Sequence, residues 1–373
     1  MRFDTRLVHA GHEPDPATGA LVPPIHLAVT YERRVQDPPR YFYSRGENPT
    51  RERLERCLAS LEGARHAAAF SSGQAAAVAA LALLEPGRTL LACDDVYGGS
   101  HELFAMRAER DGVKVRYADL SDPGALGAAL GDDVGLVWIE TPTNPLLKVV
   151  DLEAVCGAAR AAGIPTVVDN TFGGPALQQP LRHGADVTLY STTKGIAGHS
   201  DVIGGALVTD DADLHRRFTA DRTVTGGVPS PFDCYLVHRG LQTLALRTAR
   251  QAANAAAIAA ALDGHERVGT VRYPGLAAHP QHAVAARQMA APGTIVSFDY
   301  LGDPAAFMDR LQLFGCAVSL GGVRSLVEVP AAMTHARVPR AARLRLGVTD
   351  RLVRISAGIE DPADLLDDLR TAL

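Results

Sequence analysis

The stretch that decides the fold covers residues 183–205 and reads HGADVTLYSTTKGIAGHSDVIGG. Its largely apolar segment Val187–Tyr190 predicts a short buried strand that leads into three hydroxyl residues and a single lysine, Lys194. Hydroxyl groups bind phosphate through short hydrogen bonds, and a lysine held in a dry pocket can lose its proton and attack a carbonyl carbon. The stretch therefore indicates a pyridoxal phosphate site, or else a strand followed by an exposed lysine in a polar turn.

Apolar segments recur along the chain and alternate with segments of helical pattern. They occupy residues 66–70, 89–93, 113–117, 136–139, 165–168, 187–190 and 206–208. Apolar strands that alternate with helices predict an α/β fold with a mainly parallel sheet covered on both faces. In such sheets ligands bind beyond the carboxyl ends of the strands, and the sequence places Tyr97, Glu140, Asp169 and Lys194 there.

The segment Ser71-Ser72-Gly73 follows the first apolar run and precedes an alanine-rich helical pattern at residues 74–84. A strand, a small polar turn and a helix leave backbone N–H groups free at the helix N-terminus, where they bind phosphate or are simply capped by serine. Neither GxGxxG nor GxxxxGKS/T occurs in the chain. These absences argue against a dinucleotide site and a nucleoside triphosphate site.

Charge and composition favour small-molecule chemistry. The 373 residues include 37 basic and 42 acidic ones, a net charge of −5 that offers no broad basic surface to nucleic acid or membranes. With no apolar run of signal-peptide or membrane-spanning length, we expect a cytoplasmic protein. Five cysteines without a CxxC pair argue against disulfides, and the HxxH pairs His9/His12 and His279/His282 lack a third ligand, so no metal site is expected.

Composition divides the chain into three parts. Residues 1–50 are rich in proline, glycine and aromatic residues, which predicts an extended arm on a neighbouring subunit rather than a packed core element. Residues 51–245 contain the apolar strands and predict a large cofactor-binding domain. Residues 246–373 begin within a long alanine-rich helix and predict a smaller α/β domain. Its apolar runs occupy residues 294–298, 316–320 and 352–355.

A pyridoxal phosphate enzyme needs further groups besides a lysine and hydroxyls. Asp169 ends an apolar strand 25 positions before Lys194, and would pair with a protonated pyridine nitrogen or merely cap a helix. Tyr97 either stacks on the cofactor ring or is a packing residue. Arg354 lies in an apolar strand pattern, where a guanidinium needs an anionic partner, either the substrate carboxylate or a structural Asp or Glu.

Short motifs occur in a fixed order along nearly the whole chain. They are VHAG at Val8, YSRGENPT at Tyr43, SSG at Ser71, YGG at Tyr97, ETPTNP at Glu140, VDNTF at Val168, STTK and GHSD from Ser191, SPFD at Ser230, RGLQTL at Arg239, YPGL at Tyr273, SLGGVRSL at Ser319 and VRISAGIED at Val353. In content and order they resemble the Cys/Met-metabolism family of pyridoxal phosphate enzymes, which includes cystathionine γ-lyase and γ-synthase, methionine γ-lyase and O-acetylhomoserine sulfhydrylase.

The resemblance implies an aspartate-aminotransferase-like (type I) fold and usually a homotetramer, a dimer of dimers with shared active sites. It implies that Lys194 forms the Schiff base with pyridoxal 5'-phosphate, that Asp169 pairs with the pyridine nitrogen, and that Tyr97 stacks on the ring and takes part in catalysis. The further implied cofactor ligands are Ser191, Thr193, Gly73 and Gln74, together with Tyr43 and Arg45, which reach the phosphate of the adjacent subunit. The implied substrate ligands are Arg354, Ser325 and Asn144.

Four positions depart from the family pattern, and they are Gln74, Gly195, Gln251 and Arg324. Many cystathionine enzymes have glutamate at the position of Arg324, beside the distal part of the substrate. An arginine there changes the sign of an interaction worth roughly 4 kcal/mol at close range. We therefore expect Arg324 to contact the substrate, with solvent or an ion pair with Glu328 as the alternative.

The resemblance implies a lyase that cleaves a Cγ–S or related bond by γ-elimination, or a transferase that replaces the γ-substituent. Three alternatives stay open at this point. They are a γ-eliminase of secondary metabolism with a leaving group other than a thiolate, a γ-synthase or sulfhydrylase type of replacement, and a β-lyase. A cofactor-binding protein without turnover has little support, because the sequence offers a candidate for every catalytic role.

Overall fold

The computed structural model describes residues 1–32, 34–36 and 40–373. Its first sheet has seven strands in the order β1-β7-β6-β5-β4-β2-β3. These strands are β1 His66–Phe70, β2 Thr89–Cys93, β3 Lys114–Ala118, β4 Val134–Glu140, β5 Thr166–Asp169, β6 Val187–Tyr190 and β7 Gly205–Thr209. Only β7 runs antiparallel to its neighbours in this sheet. The expected mainly parallel sheet is therefore confirmed.

Helices cover both faces of this sheet and connect its strands. In the first part of the chain they are α1 Phe3–His9, α2 Pro49–Glu62, α3 Gly73–Leu81, α4 Gly98–Asp111, α5 Pro123–Ala129, α6 Leu152–Ala161, α7 Gly174–Leu177, α8 Ala212–Thr225 and α9 Pro231–Leu241, with a 3-10 helix at Pro180–His183. The later helices are α10 Leu244–Leu262, α11 His282–Gln288, α12 Pro304–Arg310, α13 Arg340–Leu346 and α14 Pro362–Ala372.

The inner strands are apolar because helices bury both of their faces. Leu90 and Leu91 in β2 point to opposite faces, and both are fully buried. Strand β3, which pairs only with β2, instead carries polar residues, as suits an edge strand that borders solvent. The observed boundaries differ by one or two residues from most of those expected, which is usual where strands fray into turns.

A second sheet follows α10 and has five strands in the order β10-β11-β12-β9-β8. They are β8 Val268–Arg272, β9 Ile295–Tyr300, β10 Gly315–Cys316, β11 Leu326–Glu328 and β12 Leu352–Ser356. Val353 and Ile355 belong to the apolar core of this part of the chain, which also includes residues of α10 and α14. The alternate residue Arg354 therefore points to the opposite face, towards the large sheet.

The expected strand at residues 316–320 was wrong in its length. Strand β10 ends at Cys316, and Ser319 adopts a left-handed backbone conformation with φ of 98°. This conformation interrupts a strand, because strand residues need negative φ. The apolar residues of this segment therefore line a loop.

The first fifty residues differ partly from the extended arm that composition indicated. Helix α1 packs on its own chain, and Leu7 is buried in the cluster that contains Leu54 and Leu58 of α2. After α1, the described residues up to α2 contain one isolated bridge, between Thr30 and Tyr43. The contact of this segment with a neighbouring subunit stays a prediction, as does the domain boundary at residue 245. Among the described residues, no helix is long and apolar enough to cross a membrane.

Glu62 predicts an unusual pH dependence of stability. Its carboxyl group accepts a hydrogen bond from the Tyr190 hydroxyl, and burial raises the pKa of Glu62 to about 8. The folded chain then holds this proton more tightly than the unfolded chain, so the contribution to stability is greatest below pH 4.5 and declines up to about pH 8. Glu62→Gln should therefore gain about 2.7 kcal/mol in the free energy of unfolding relative to the wild type between pH 6 and pH 9.

Urea unfolding at both pH values, at one protein concentration, measures this difference. If the free energies of unfolding of the wild type and of Glu62→Gln changed equally with pH, the result would contradict a buried, protonated carboxyl group at Glu62. Asp213, which is exposed at the start of α8, offers a matched control, and Asp213→Asn should follow the wild type.

Candidate active site

A cavity of 260 Å³ lies at the carboxyl edge of the large sheet, with Arg354 of the small sheet in its wall. Glu140 ends β4, Asp169 ends β5, and Lys194 follows the end of β6 by four residues. The chain therefore brings these side chains together as the order of its strands predicts. The predicted site residues that line the cavity are Gly73, Gln74, Tyr97, Asn144, Asp169, Ser191, Thr193, Lys194 and Arg354.

One end of the cavity is built to receive an anion. Helix α3 begins there at Gly73, and its first N–H groups have no partner within the helix. The side chain of Ser72 caps the helix by accepting from the N–H of Ala75 at 3.0 Å. A Cβ atom at Gly73 would lie 3.0 Å from the Cβ of Ser191. Glycine is thus needed for the close approach of this turn to the serine.

Lys194 lies inside the cavity wall rather than in an exposed turn. Its Nζ donates a hydrogen bond of 2.8 Å to the Oγ of Ser319. Burial lowers the pKa of Lys194, and the positive charge of Arg354 lowers it further. A larger share of this amine is therefore neutral, and nucleophilic, than in a lysine exposed to water.

Asp169 and Glu140 lie side by side at the ends of two paired strands. Asp169 accepts from the N–H of Thr171 at 3.0 Å, and burial raises its pKa to about 6. It caps no helix, since α7 begins at Gly174 without a side-chain cap. Burial, followed by the charge of Asp169, raises the pKa of Glu140 well above its ordinary value. A cationic ligand atom beside Asp169 would relieve this crowding of buried acids.

Tyr97 lines the cavity with its side chain and precedes α4. Its backbone N–H donates to Glu140 at 2.8 Å, a positioning contact that the sequence did not reveal. A Cβ atom at Gly98 would lie 2.4 Å from the carbonyl oxygen of Thr334, and one at Gly99 would lie 2.5 Å from the Tyr97 ring. The two glycines thus let the ring fold back over its own helix. Burial raises the pKa of Tyr97, so its hydroxyl stays protonated at neutral pH.

Arg354 is almost completely buried, with an exposed fraction of 2%. Its Nη1 donates to Asn144 Oδ1 at 2.8 Å and lies 3.0 Å from Oε1 of Glu328. Its Nη2 donates to the carbonyl oxygen of Ser319 at 2.9 Å. The anionic partner that the sequence required is therefore present as a structural glutamate. The contacts leave part of the guanidinium available at the cavity wall.

Comparison with known proteins agrees with this geometry. The family model described as Cys/Met metabolism PLP-dependent enzyme matches residues 4–373. The chain belongs to this family. A cystathionine gamma-synthase of Mycobacterium tuberculosis is 48% identical over 375 residues, with 99% of this chain and 96% of the relative covered. A cystathionine beta-lyase of Coxiella burnetii is 44% identical over 377 residues, with 100% of this chain and 97% of the relative covered.

A solved structure gives the same assignment. CalE6 from Micromonospora echinospora, described as a cystathione gamma lyase, is 59% identical with a TM-score of 0.97, and the match covers 100% of this chain and 99% of CalE6. The type I fold expected from the resemblance is thus confirmed. This Cys/Met-metabolism enzyme is a pyridoxal phosphate-dependent enzyme that acts on an amino acid by γ-elimination or γ-replacement.

The cavity fits pyridoxal phosphate on its own chemistry. The start of α3 offers N–H donors to a phosphate, and Asp169 offers a buried carboxylate to a protonated ring nitrogen. The amine of Lys194 lies in the same cavity, ready to bind an aldehyde carbon. The hydroxyl of Thr193, one of the residues expected to bind the phosphate, already has two backbone partners. It donates to the carbonyl oxygen of Gly204 and accepts from the N–H of Gly204.

Ser325 does not lie where the family pattern placed it. It is fully buried outside the cavity, and its hydroxyl donates to Glu360 at 2.9 Å. The serine beside the lysine and Arg354 is instead Ser319, at the start of the same SLGGVRSL motif. The motif contains two serines, and only the turn at Ser319 decides which of them reaches the cavity. The Gly-Gly pair after Ser319 was the signal for that turn.

Arg324 also lies outside the cavity, so its position does not support the expected contact with the substrate. Its side chain is exposed. The alternative ion pair with Glu328 is also wrong, because Glu328 pairs with Arg354. The residues of this region that do line the cavity are Val318, Ser319 and Leu320. Arg324 therefore gives no electrostatic reason to exclude cystathionine as a substrate.

We expect Arg324→Glu to leave the substrate profile unchanged. The arginine is exposed and outside the cavity, so a change of its charge is screened by water and salt before it reaches the substrate. Ratios of kcat/KM for two thioether amino acids, one with an uncharged and one with a charged distal end, measure the profile. A shift of the ratio by more than about threefold would show that Arg324 acts on the substrate.

Tyr43 and Arg45 lie outside the cavity of their own chain. Both side chains are exposed, and the Arg45 guanidinium carbon lies 5.6 Å from the centre of the Tyr43 ring. Arg45 also donates to the carbonyl oxygen of Thr223 at 2.8 Å. Their expected role at the phosphate of an adjacent subunit therefore stays a prediction.

Gln251 and histidines of the two HxxH pairs, which the sequence singled out, make contacts within the fold. The side-chain amide of Gln251 donates to the carbonyl oxygens of Gly321 and Gly322 and holds the turn that follows Ser319. Within the HxxH pairs, His12 stacks on His238 and His279 contacts the carbonyl oxygen of Leu147 at 3.1 Å. In residues 1–32, 34–36 and 40–373, no group of three or more His, Cys, Asp or Glu is arranged to hold a metal ion.

Proposed function

We propose that this enzyme is a γ-lyase that cleaves the Cγ–S bond of a thioether amino acid whose distal end is uncharged. The observation that carries the proposal is the polarity of the cavity. Its charged residues are Glu140, Asp169, Lys194 and Arg354, all buried or partly buried. Its most exposed lining residues, which mark the mouth, include Ile203 and Val318, exposed by 65% and 52%. An apolar mouth favours an alkyl group over a second amino-acid head.

The proposed roles follow from position and charge. Arg354 binds the α-carboxylate, while Asp169 holds the proton of the ring nitrogen and Gly73, Gln74, Ser191 and Thr193 surround the phosphate. Bound pyridoxal phosphate supplies an electron sink that stabilises negative charge at Cα. These groups orient the substrate so that its Cα–H bond faces the amine of Lys194.

Two residues move protons in this proposal. The Nζ atom of Lys194, whose pKa is lowered by burial, takes a proton from Cα and then a proton from Cβ, so that the Cγ–S bond can break, and it returns protons in later steps. The hydroxyl of Tyr97, whose pKa is raised by burial, stays protonated and gives its proton to the departing sulfur. One water molecule is consumed, and the products are a 2-oxo acid, ammonia and a thiol.

Product analysis tests the reaction. The holoenzyme is incubated with L-methionine, L-cystathionine and O-acetyl-L-homoserine, with and without an added thiol, and the products are identified by mass spectrometry. We expect 2-oxo acid and ammonia from methionine, and a higher kcat/KM for methionine than for cystathionine. A new thioether as the main product would instead establish γ-replacement, and pyruvate from cystathionine would establish a β-lyase. Either result would overturn the proposal.

We further propose a homotetramer, a dimer of dimers in which Tyr43 and Arg45 complete the site of the adjacent subunit. The support is that both residues lie outside their own cavity on a segment that exposes Leu21 and Leu27. The free, mostly buried cysteines accord with the cytoplasmic location expected above, which stays a prediction.

Mixing two inactive variants tests the shared site. In a dimer of one Tyr43→Ala and one Lys194→Ala subunit, one of the two sites keeps both residues. Random mixing should therefore restore roughly one quarter of the wild-type activity. Absence of recovery in oligomers shown by mass to contain both variants would contradict the sharing of Tyr43.

A further inference from the structure

A row of buried polar side chains crosses the face of the small sheet that points towards the large sheet. Glu328 in β11 lies directly opposite Arg354 in β12, and Arg354 lies opposite Ser297 in β9. The hydroxyl of Ser297 donates to the carbonyl oxygen of Pro145 at 2.7 Å. Each member of the row thus has polar partners outside the apolar core of the small sheet.

The hydrogen atoms of Arg354 show where a further ligand fits. A guanidinium has five N–H donors. Nη1 donates one to Asn144 and also lies 3.0 Å from Oε1 of Glu328 in an ion pair, and Nη2 donates one to Ser319. Nε is buried and has no partner among residues 1–32, 34–36 and 40–373. The free donors are therefore Nε and one hydrogen of Nη2, the pair that binds the two oxygens of a carboxylate side by side.

Glu328 is itself held from a second direction. The hydroxyl of Thr334 donates to its Oε1 at 2.9 Å, and the same hydroxyl lies 3.1 Å from Nδ1 of His335. Since a threonine hydroxyl has one hydrogen, Nδ1 of His335 is the donor in the second contact. Glu328 is exposed by only 1% and does not line the cavity. It reaches the cavity through two neighbours that line it, Arg354 and Thr334, and of these only Arg354 carries a charge for a substrate carboxylate.

We infer that Glu328 is a positioning residue that fixes Arg354 through Nη1, so that the Nε and Nη2 edge is presented to the α-carboxylate of the substrate. The inference rests on the proposed function, in which Arg354 binds that carboxylate. Without Glu328 the guanidinium would lose the carboxylate of its buried ion pair, which is its nearest counter-charge, and would turn towards another anionic partner or water. The substrate would then meet a misplaced donor.

The test compares Glu328→Ala with Glu328→Gln in the holoenzyme. We expect Glu328→Ala to raise KM for the amino-acid substrate by about tenfold or more, with kcat within about threefold of the wild type. Glu328→Gln should recover part of the affinity, because its amide oxygen keeps a polar contact beside Nη1 but carries no charge. Glu360→Gln is the matched control, since Glu360 bonds to Ser325 outside the cavity, and KM should not change.

A second readout separates positioning from a general loss of structure. Cofactor absorbance reports the binding of glycine and of methylamine, its counterpart without a carboxylate. Glu328→Ala should weaken glycine binding and leave methylamine binding unchanged. Equal weakening of both ligands, equal effects of the alanine and glutamine variants, or a fall in kcat without a rise in KM would overturn the inference.

A second variant covers the case in which Glu328→Ala does not fold, and the wild type shows whether the proposed function itself holds. If Glu328→Ala fails to fold, Thr334→Val still removes one support of Glu328 and should raise KM by about threefold. Because Thr334 also lines the cavity, methylamine is its control, and the binding of methylamine should not change. An unchanged KM in that case would count against the inference. If the wild type itself fails to bind glycine, the proposed function fails and not the role of Glu328.

Discussion

Lys194→Ala is expected to abolish turnover and to remove the visible absorbance of the bound cofactor. The cavity contains one amine, and its pKa is lowered by burial and by Arg354, so no neighbouring side chain can replace it as nucleophile or as base. Loss of both roles should cost at least about 10⁴-fold in kcat, or roughly 5.4 kcal/mol. The spectrum of the purified protein and a steady-state assay of 2-oxo acid measure the two effects.

Lys114 provides the matched control for this change. It is exposed on the edge strand β3, away from the cavity, and Lys114→Ala should keep the spectrum and the activity. Retained absorbance and turnover in Lys194→Ala would mean that the cofactor binds elsewhere. Lost absorbance in both variants would mean that the spectrum reports stability instead of the bond to Lys194.

The second large effect is expected from Asp169→Asn, which should lower kcat by about a hundredfold, or roughly 2.7 kcal/mol, while the cofactor stays bound. An asparagine keeps the shape of the side chain and its contact with the N–H of Thr171, but it cannot stabilise a positive ring nitrogen. The electron sink is then weaker. Comparison of kcat with cofactor content measured at alkaline pH separates catalysis from cofactor loss.

The protonation state of Asp169 bears on the same test. In the chain without cofactor, burial raises the pKa of Asp169 to about 6, and a cationic ring nitrogen beside it lowers that pKa again. The carboxylate is thus ionised at neutral pH in the holoenzyme. An Asp169→Asn variant with unchanged kcat would show that this carboxylate does not act on the ring nitrogen.

The parts of the site that sequence predicts are those set by strand order. Val187–Tyr190 was found as β6 at the expected residues, and Asp169 and Lys194 meet because parallel strands end at one edge. The glycine of SSG and the two glycines of YGG were also visible in advance. The sequence did not show why glycine is needed at these positions, because the close contacts with Ser191, Thr334 and the Tyr97 ring depend on packing across the cavity.

The parts that sequence missed depend on backbone turns and on cross-strand register. Ser319 reaches Lys194 only because its backbone leaves the strand conformation, whereas Ser325 turns away to Glu360. The pairing of Glu328 with Arg354 follows from the register of β11 against β12, which is not fixed by the sequence because 25 positions intervene. Arg324 was misplaced for the same reason, since its exposure follows from the turn and not from the motif.

The central claim is that this chain binds pyridoxal phosphate through Lys194, with the phosphate at the start of α3. Reduction of the holoenzyme with borohydride, followed by digestion and mass spectrometry of the peptides, tests it most directly. We predict that the reduced cofactor is found on the peptide that contains Lys194 and on no peptide that contains Lys114 or Lys148. Label on another lysine, or no label on a protein with full cofactor absorbance, would contradict the account.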